Sequence, residues 1–274
     1  MEKKNFSQEQ LKDILKRYQE DNWSQQKIAD YYKVSRPVIK RILSQMNINL
    51  RQRTKKYYSN DDIFEIIDNP EKAYWLGFIA ADGCNYQREH NASIILNIHQ
   101  KDIVHLEKFK QFCNSQAQIQ QYIANIGFSS KTPMAKIVLN SKKMSKDLFD
   151  KGIVPNKSLI LKKPNIPKQY YLPFILGYFD GDGSISKSSC HNNYSINIQG
   201  TKELLEWINK ILNISTKLEK RNNDNKNSYY IRCGGTNKPY NILKQLYDSC
   251  ETHLDRKYIL FKNLETVVLN GNIK

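Results

Sequence analysis

Residues 74–83 read YWLGFIAADG and residues 174–183 read FILGYFDGDG. Each run follows a proline (Pro70, Pro173), stays apolar over about two helical turns and stops at an Asp-Gly pair. Small residues gather on one side of each: Gly77, Ala80 and Ala81 in the first copy, Gly177 and Gly181 in the second. Helices with so little side chain on one face can approach closely along their length, so their C-terminal ends are expected to lie side by side. Asp82 and Asp182 then meet at the negative ends of two helix dipoles. Like-charge repulsion opposes that arrangement unless cations lie between them.

The duplication extends downstream. Ile94, Leu96 and Ile98 alternate with polar Asn97 and His99, and Tyr194, Ile196 and Ile198 alternate with Asn197 and Gln199, so each set reads as a half-buried strand. A helical stretch follows in both copies (Ile103 to Cys113; Lys202 to Leu212), then another strand (Ala135 to Asn140; Tyr229 to Cys233), then another helix. The fold class expected is α+β, two pseudo-symmetric αββαββα halves. Paired acids contributed by two such halves suit a divalent metal site for phosphodiester cleavage, where metal polarises the phosphoryl group and ionises a water. Read singly, an Asp-Gly end is ordinary helix termination; its repetition with matching flanks is what argues for chemistry.

Composition agrees with a nucleic-acid partner. The 274 residues are 39% hydrophobic, enough for a buried core, and carry a formal net charge of +16. No stretch approaches the roughly 20 apolar residues of a spanning helix, and MEKKNFSQEQ lacks a signal-peptide core. The five cysteines are scattered without the paired spacing of zinc sites. A reduced chain is therefore expected, in the cytoplasm or an organellar matrix with its target DNA and not secreted.

Residues 1–60 hold 14 of the 43 Lys and Arg against six acids. Ser7 is placed to cap a helix from Gln8 to Glu20, Ser24 opens a short second helix, and Ser35 with Pro37 starts a third after a tight turn at Lys33-Val34. Two short helices with such a turn resemble a helix-turn-helix whose second helix presents Ser35, Arg36, Lys40 and Arg41 to DNA. The expected divisions are 1–50 for this all-α domain, 51–68 for a basic linker and lead-in, and 69–165 and 166–274 for the two halves. RQRTKKYY at Arg51–Tyr58 reads as a segment able to lie along phosphates.

The two motifs, Trp75 to Gly83 and Ile175 to Gly183, resemble the paired signature of single-chain LAGLIDADG homing endonucleases over roughly residues 70–265. The resemblance implies halves packed through the signature helices, with antiparallel sheets lying in the DNA major groove. It implies a metal set of Asp82 and Asp182 with the residues before them, Ala81 and Gly181, holding Mg2+, for which Mn2+ can substitute. It also implies cutting of both strands of double-stranded DNA across the minor groove, and intron homing as the biological setting. The family's first motif acid is Ala80 in one half and Asp180 in the other, at a position that varies in the family.

Further residues follow from the same resemblance. A catalytic lysine per half falls on Lys157 and Lys257, each 75 residues beyond its aspartate, with Arg256 as an alternative in the second half. Gln100 resembles the family's solvent-network glutamine, its other reading being a cap for the helix that follows; the second half has Gly200-Thr201 there. Polar positions on the strands and their loops, namely Arg88, Asn97, His99, Lys136, Lys187, Asn197, Gln199, Arg221 and Arg232, are of the types that read base edges. His90-Asn91 and His191-Asn192 read as hairpin-loop residues. Because each half supplies one aspartate, a monomer is expected. The competing reading is an RNA maturase or DNA-binding regulator on the same scaffold. Met1 and the ending Asn270-Gly-Asn-Ile-Lys274 lack the residues a splicing element needs, so an intron-encoded or freestanding chain is expected.

Overall fold

A computed structural model of the chain describes residues 6–50, 57–89, 91–126, 130–188, 193–220 and 226–271. The chain forms two compact units, Met1–Lys55 and Lys56–Lys274. In the first, α1 (Gln8–Gln19) begins in a reciprocal capping box. The Ser7 hydroxyl accepts from Gln10 N, and the Gln10 side chain accepts from Ser7 N at 2.9 Å. Ser24 caps α2 (Gln25–Tyr31) through Lys27 N. Lys33 turns the chain at φ 52°, a left-handed conformation that permits the short link to α3 (Arg36–Gln45). Ile14, Tyr18, Ile28, Ala29, Ile39, Ile42 and Leu43 close a small core between the three helices.

The second unit contains α4 (Pro70–Asp82), β1 (Gly83–Gln87), β2 (Ala92–His99), α5 (Ile103–Phe112), β3 (Gln120–Ile126), β4 (Ser130–Asn140) and α6 (Lys142–Asp150). The pattern then repeats as α7 (Tyr171–Asp182), β5 (Gly183–Lys187), β6 (Tyr194–Gly200), α8 (Lys202–Ile211), β7 (Glu219–Lys220), β8 (Tyr229–Gly235) and α9 (Asn237–Tyr247), followed by α10 (Asp255–Gly271). Each half has a four-stranded antiparallel sheet, in order β1-β2-β4-β3 and β5-β6-β8-β7. This is the α+β, two-half architecture expected from the repeat. Among the described residues, no helix is long and apolar enough to cross a membrane.

The signature helices are buried on every side, which explains their unbroken apolar composition. They pack through backbone. A Cβ on Gly77 would overlap the Phe174 carbonyl oxygen and stand 2.9 Å from Tyr178 N; one on Gly177 would overlap the Tyr74 carbonyl oxygen and stand 2.9 Å from Phe78 N. Nearer the C-termini, a Cβ on Gly181 would overlap Ala81 Cβ. Each glycine thus admits the other helix, and the contact repeats about the pseudo-two-fold relation.

Register places the polar strand residues in rows. Asn97 pairs with Lys136 across β2 and β4, and Asn197 with Arg232 across β6 and β8, while Ile94, Leu96, Ile98, Ile196 and Ile198 are buried beneath. Not placed from sequence were β1 and β5, which start directly at Gly83 and Gly183 where Asp-Gly reads as an end, the edge strands β3 and β7, and the 17-residue α10.

Gly77→Ala and Gly177→Ala are each expected to lower the unfolding free energy by at least about 3 kcal/mol, since backbone, which cannot yield as a side chain does, occupies the space. Urea denaturation of the full chain measures this.

Candidate active site and nucleic-acid interface

The close approach of α4 and α7 carries Asp82 and Asp182 to neighbouring helix ends. Both residues are exposed, whereas the two lysines beside them are buried, Lys157 at 7% and Lys257 at 3% exposure. Lys157 Nζ donates to the carbonyl oxygens of Ala81 (3.2 Å) and Gly83 (2.6 Å). Lys257 Nζ donates to those of Phe179 (2.7 Å), Asp180 (2.7 Å) and Gly183 (2.6 Å). Each ammonium therefore gathers carbonyls at and just beyond a helix C-terminus and offsets the negative end of the dipole.

The electrostatics follow from this crowding. The Asp82 carboxyl is pushed up to about 6, first by the protein around it and then by the negative charge of Asp182, with Lys257 and Lys157 pulling it back. Asp82 keeps water on its outer side, so solvent screens part of that effect. Burial lowers both lysines, Lys257 to about 8, and the nearby aspartates oppose the fall.

The sequence difference between Ala80 and Asp180 has a structural counterpart. Asp180 is 1% exposed and accepts from Tyr74 Oη and Leu254 N, both at 2.7 Å on Oδ2, with Tyr247 Oη at 3.5 Å on Oδ1. Leu254 immediately precedes α10, so the carboxylate pins the start of the helix that carries Lys257. Since Tyr74 donates its one proton to Asp180, its oxygen accepts from His105 Nε2 at 3.0 Å, which assigns the Nε2–H tautomer. Burial holds His105 down at about 3, hence neutral. Burial also pushes Asp180 up to about 6 against the pull of Lys257 and its donors.

A cleft beside Asp82 is lined by Asn97, His99, Lys101, Asp102 and Arg256. Arg256, on α10 of the second half, forks onto Asp102 of the first (Nε–Oδ1 3.1 Å, Nη2–Oδ2 3.2 Å). It is thus engaged away from the helix-end position that Lys257 fills. Gln100 does not cap the following helix: the His99 ring accepts from Lys101 N at 3.1 Å, and Gln100 Nε2 turns to the Gln121 side chain. Sequence reasoning missed Asp102, Tyr74 and His105, whose partners are distant in the chain and leave no local spacing to read.

On the sheet faces, Asn97 accepts from Tyr122 Oη at 2.9 Å, and Lys136 Nζ stands 5.2 Å from the centre of the Tyr122 ring. Arg232 lies over Tyr230 at 5.5 Å, Arg88 over Tyr86 at 5.2 Å and Lys187 over Tyr194 at 5.9 Å. Asn197 and Gln199 are half-buried, and Asn197 Oδ1 has no hydrogen-bond partner. In the N-terminal unit Ser35, Arg36, Lys40 and Arg41 are exposed, and Arg36 Nε donates to Gln25 Oε1 at 3.3 Å. Arg221, most of the basic tail (residues 51–56), His90, His191 and Asn192 lie outside the described residues.

The donors at the helix ends are hard oxygens: two carboxylates and the carbonyls of residues 81 and 181. The first of these carbonyls already accepts from Lys157. No group of three or more His, Cys, Asp or Glu side chains gathers among the described residues. The donor set fits Mg2+, which keeps several waters and binds through one or two carboxylates and substrate phosphates, and it does not fit a closed structural zinc site.

Residues 169–246 match the family model described as a LAGLIDADG-like domain. Among solved structures, the meganuclease I-SmaMI bound to uncleavable DNA is 15% identical, covers 73% of this chain and 90% of its own, and superposes with a TM-score of 0.51. The LAGLIDADG meganuclease I-AabMI bound to uncleaved DNA is 13% identical, covers 74% and 92%, and gives 0.50. Comparison with curated proteins finds no match. The fold of the second unit is that of the LAGLIDADG meganucleases.

The raised Asp180 carboxyl sets a pH dependence. Between about pH 4 and 6 the native state binds a proton there that the unfolded chain has released, so this residue makes stability fall as pH rises through that window. Thermal melts of the metal-free protein are expected to show Asp180→Asn gaining on the parent chain from pH 4 to pH 6; a constant difference contradicts the assignment.

Proposed function

We propose that this chain is a site-specific, Mg2+-dependent double-strand DNA endonuclease, acting as a monomer and carried by a mobile intron or a freestanding element. The observation that carries the reading is the pair of exposed aspartates at abutting helix ends, each backed by a buried lysine on the same helix-end carbonyls. A bound Mg2+ would polarise the scissile phosphate and ionise a water, with Asp82 and Asp182 and the backbone of Ala81 and Gly181 as its holders.

The chain's own groups do the rest. Lys157 and Lys257 hold the two helix ends in place and put positive charge beside the phosphate as negative charge builds on it. Asp180 fixes Lys257 by anchoring α10. The ion pair from Arg256 to Asp102 ties the halves together across the cleft. Asn97, His99, Lys136, Arg88, Lys187, Asn197, Gln199, Arg232 and Arg221 are the candidate DNA contacts of the two sheets, with the aromatic rings under several of the cations limiting their wander. Residues 69–165 and 166–274 form the cutting halves, 51–68 the linker, and 1–50 a helix-turn-helix that adds affinity through Ser35, Arg36, Lys40 and Arg41.

On a duplex selected from a randomised library by binding in Ca2+, Mg2+ is expected to produce cutting of both strands. Asp82→Asn is expected to lower cutting at least about a hundredfold while DNA affinity persists. Binding without any cutting by the parent chain would favour a regulator or maturase. Lys40→Ala with Arg41→Ala is expected to weaken binding and to flatten the slope of log affinity against log salt by about 1–2, read from titrations at several ionic strengths.

A further inference from the structure

Asp102 directly precedes α5 and Thr201 directly precedes α8, the same place in each half after its second strand. Each reaches out of its own half. Asp102 makes no cap bond to α5; its carboxylate, 11% exposed, receives the Arg256 fork. Thr201, 1% exposed, accepts from Leu204 N at the start of α8 and donates its hydroxyl proton to the Leu161 carbonyl oxygen. The residues so gripped are equivalent too. Arg256 is the chain neighbour of Lys257 in the first turn of α10. Leu161 N donates to the Lys157 carbonyl oxygen at 2.8 Å, closing the turn Lys157–Leu159.

Second contacts stand beside each grip. Lys108 Nζ, on α5, donates to the His253 carbonyl oxygen at 3.2 Å and pairs with Asp255. On the other side Asn227 Nδ2 donates to the Leu159 carbonyl oxygen at 3.0 Å, while its Oδ1 accepts from Lys202 N at 3.1 Å. Lys162 pairs with Glu203 at 3.2 Å. A lone 3-10 turn and the first turn of a helix hold themselves poorly, the one for its short length and the other for its N–H groups without intrahelical partners. Here the other half supplies what each lacks.

We propose that the two lysines are set crosswise: Asp102 of the first half positions Lys257 of the second through Arg256, and Thr201 of the second half positions Lys157 of the first through Leu161. Both are positioning residues. The action of the lysines on phosphate rests on the endonuclease reading; their placement does not. A consequence is that a half separated from the other loses the hold on its own lysine together with the opposing aspartate, so neither helix end is complete alone.

Titrations of the metal-free full-length protein, labelled with 13C at lysine Cε, test the placement. Asp102→Asn and Arg256→Gln are each expected to raise Lys257 from about 8 toward the ordinary lysine value, as the freed turn admits water, and to leave Lys157 in place. Charge alone would move Lys257 in opposite directions in these two variants. Thr201→Val is expected to raise Lys157 and leave Lys257; Thr201→Ser, which keeps the hydroxyl, restores the parent titration. Asn227→Ala, at a half-buried loop position, gives the same response as Thr201→Val more weakly and guards against a fold lost by that variant. A response confined to the lysine of the substituted half, no response, or a fall of Lys257 in Asp102→Asn overturns the proposal. With Mg2+ and the library-selected duplex labelled on each strand, Asp102→Asn and Thr201→Val are each expected to slow one strand about tenfold, and not the same strand; slowing of the same strand by both overturns it. If the parent chain does not cut DNA, the endonuclease reading fails by itself, and the lysine titrations still decide the placement.

Discussion

Backbone contact between α4 and α7 at Gly77 and Gly177 is the constraint on which the second unit depends. Helices usually stand apart by the thickness of their side chains; here each glycine receives the other helix's carbonyl. Two C-terminal dipole ends and two aspartates are thereby forced into one neighbourhood, a concentration of negative charge unfavourable by itself. The lysines answer it locally. With Nζ bonded to helix-end carbonyls, Lys157 and Lys257 place positive charge at the two helix ends, beside the aspartates.

The two lysines reach equivalent places by different routes. Lys157 sits in a single 3-10 turn entered through Asn156 in a left-handed conformation, φ 54°. Lys257 sits in the first turn of α10, where its charge opposes that helix's own dipole. Asp180, taking the Leu254 N–H at the start of α10, supplies the compensating negative charge. The first half has no long helix to anchor, and it has alanine at position 80. Different local structure around a shared end point argues that what is constrained is the ammonium's place at the helix end. The equal spacing from each aspartate coexists with unequal chain between.

Legibility in the sequence followed the range of the interactions. Strands β2 and β6 were readable because one face is buried and alternation is strict, and the first two helix starts were readable because Ser7 and Ser24 cap over three residues, whereas Ser35, read the same way, makes no side-chain cap bond. Edge strand β3, QQYIANI, was not, since an edge with polar neighbours lacks a clean two-residue period. The acidic run at 61–68 has counterparts in Lys72 and Lys143; Lys143 meets Asp62, Glu65 and Asp147. The aspartates of the candidate site were accessible through the repeat, the lysines through the family resemblance. The roles of Asp180, Tyr74, His105 and Arg256 depend on contacts 31 to 154 residues apart in the chain, which no local pattern encodes.

The same charges define when the assembly is complete. Burial and the charge of Asp182 raise the Asp82 carboxyl to about 6, and burial lowers the Lys257 ammonium to about 8. Between those values the carboxylate is ionised and the ammonium charged at once. Burial shifts the two groups toward each other, since it disfavours charge on both, and their mutual attraction resists it. The +16 of the whole chain favours a polyanionic partner, while the meeting of two aspartates with two buried lysines is a local balance set by burial.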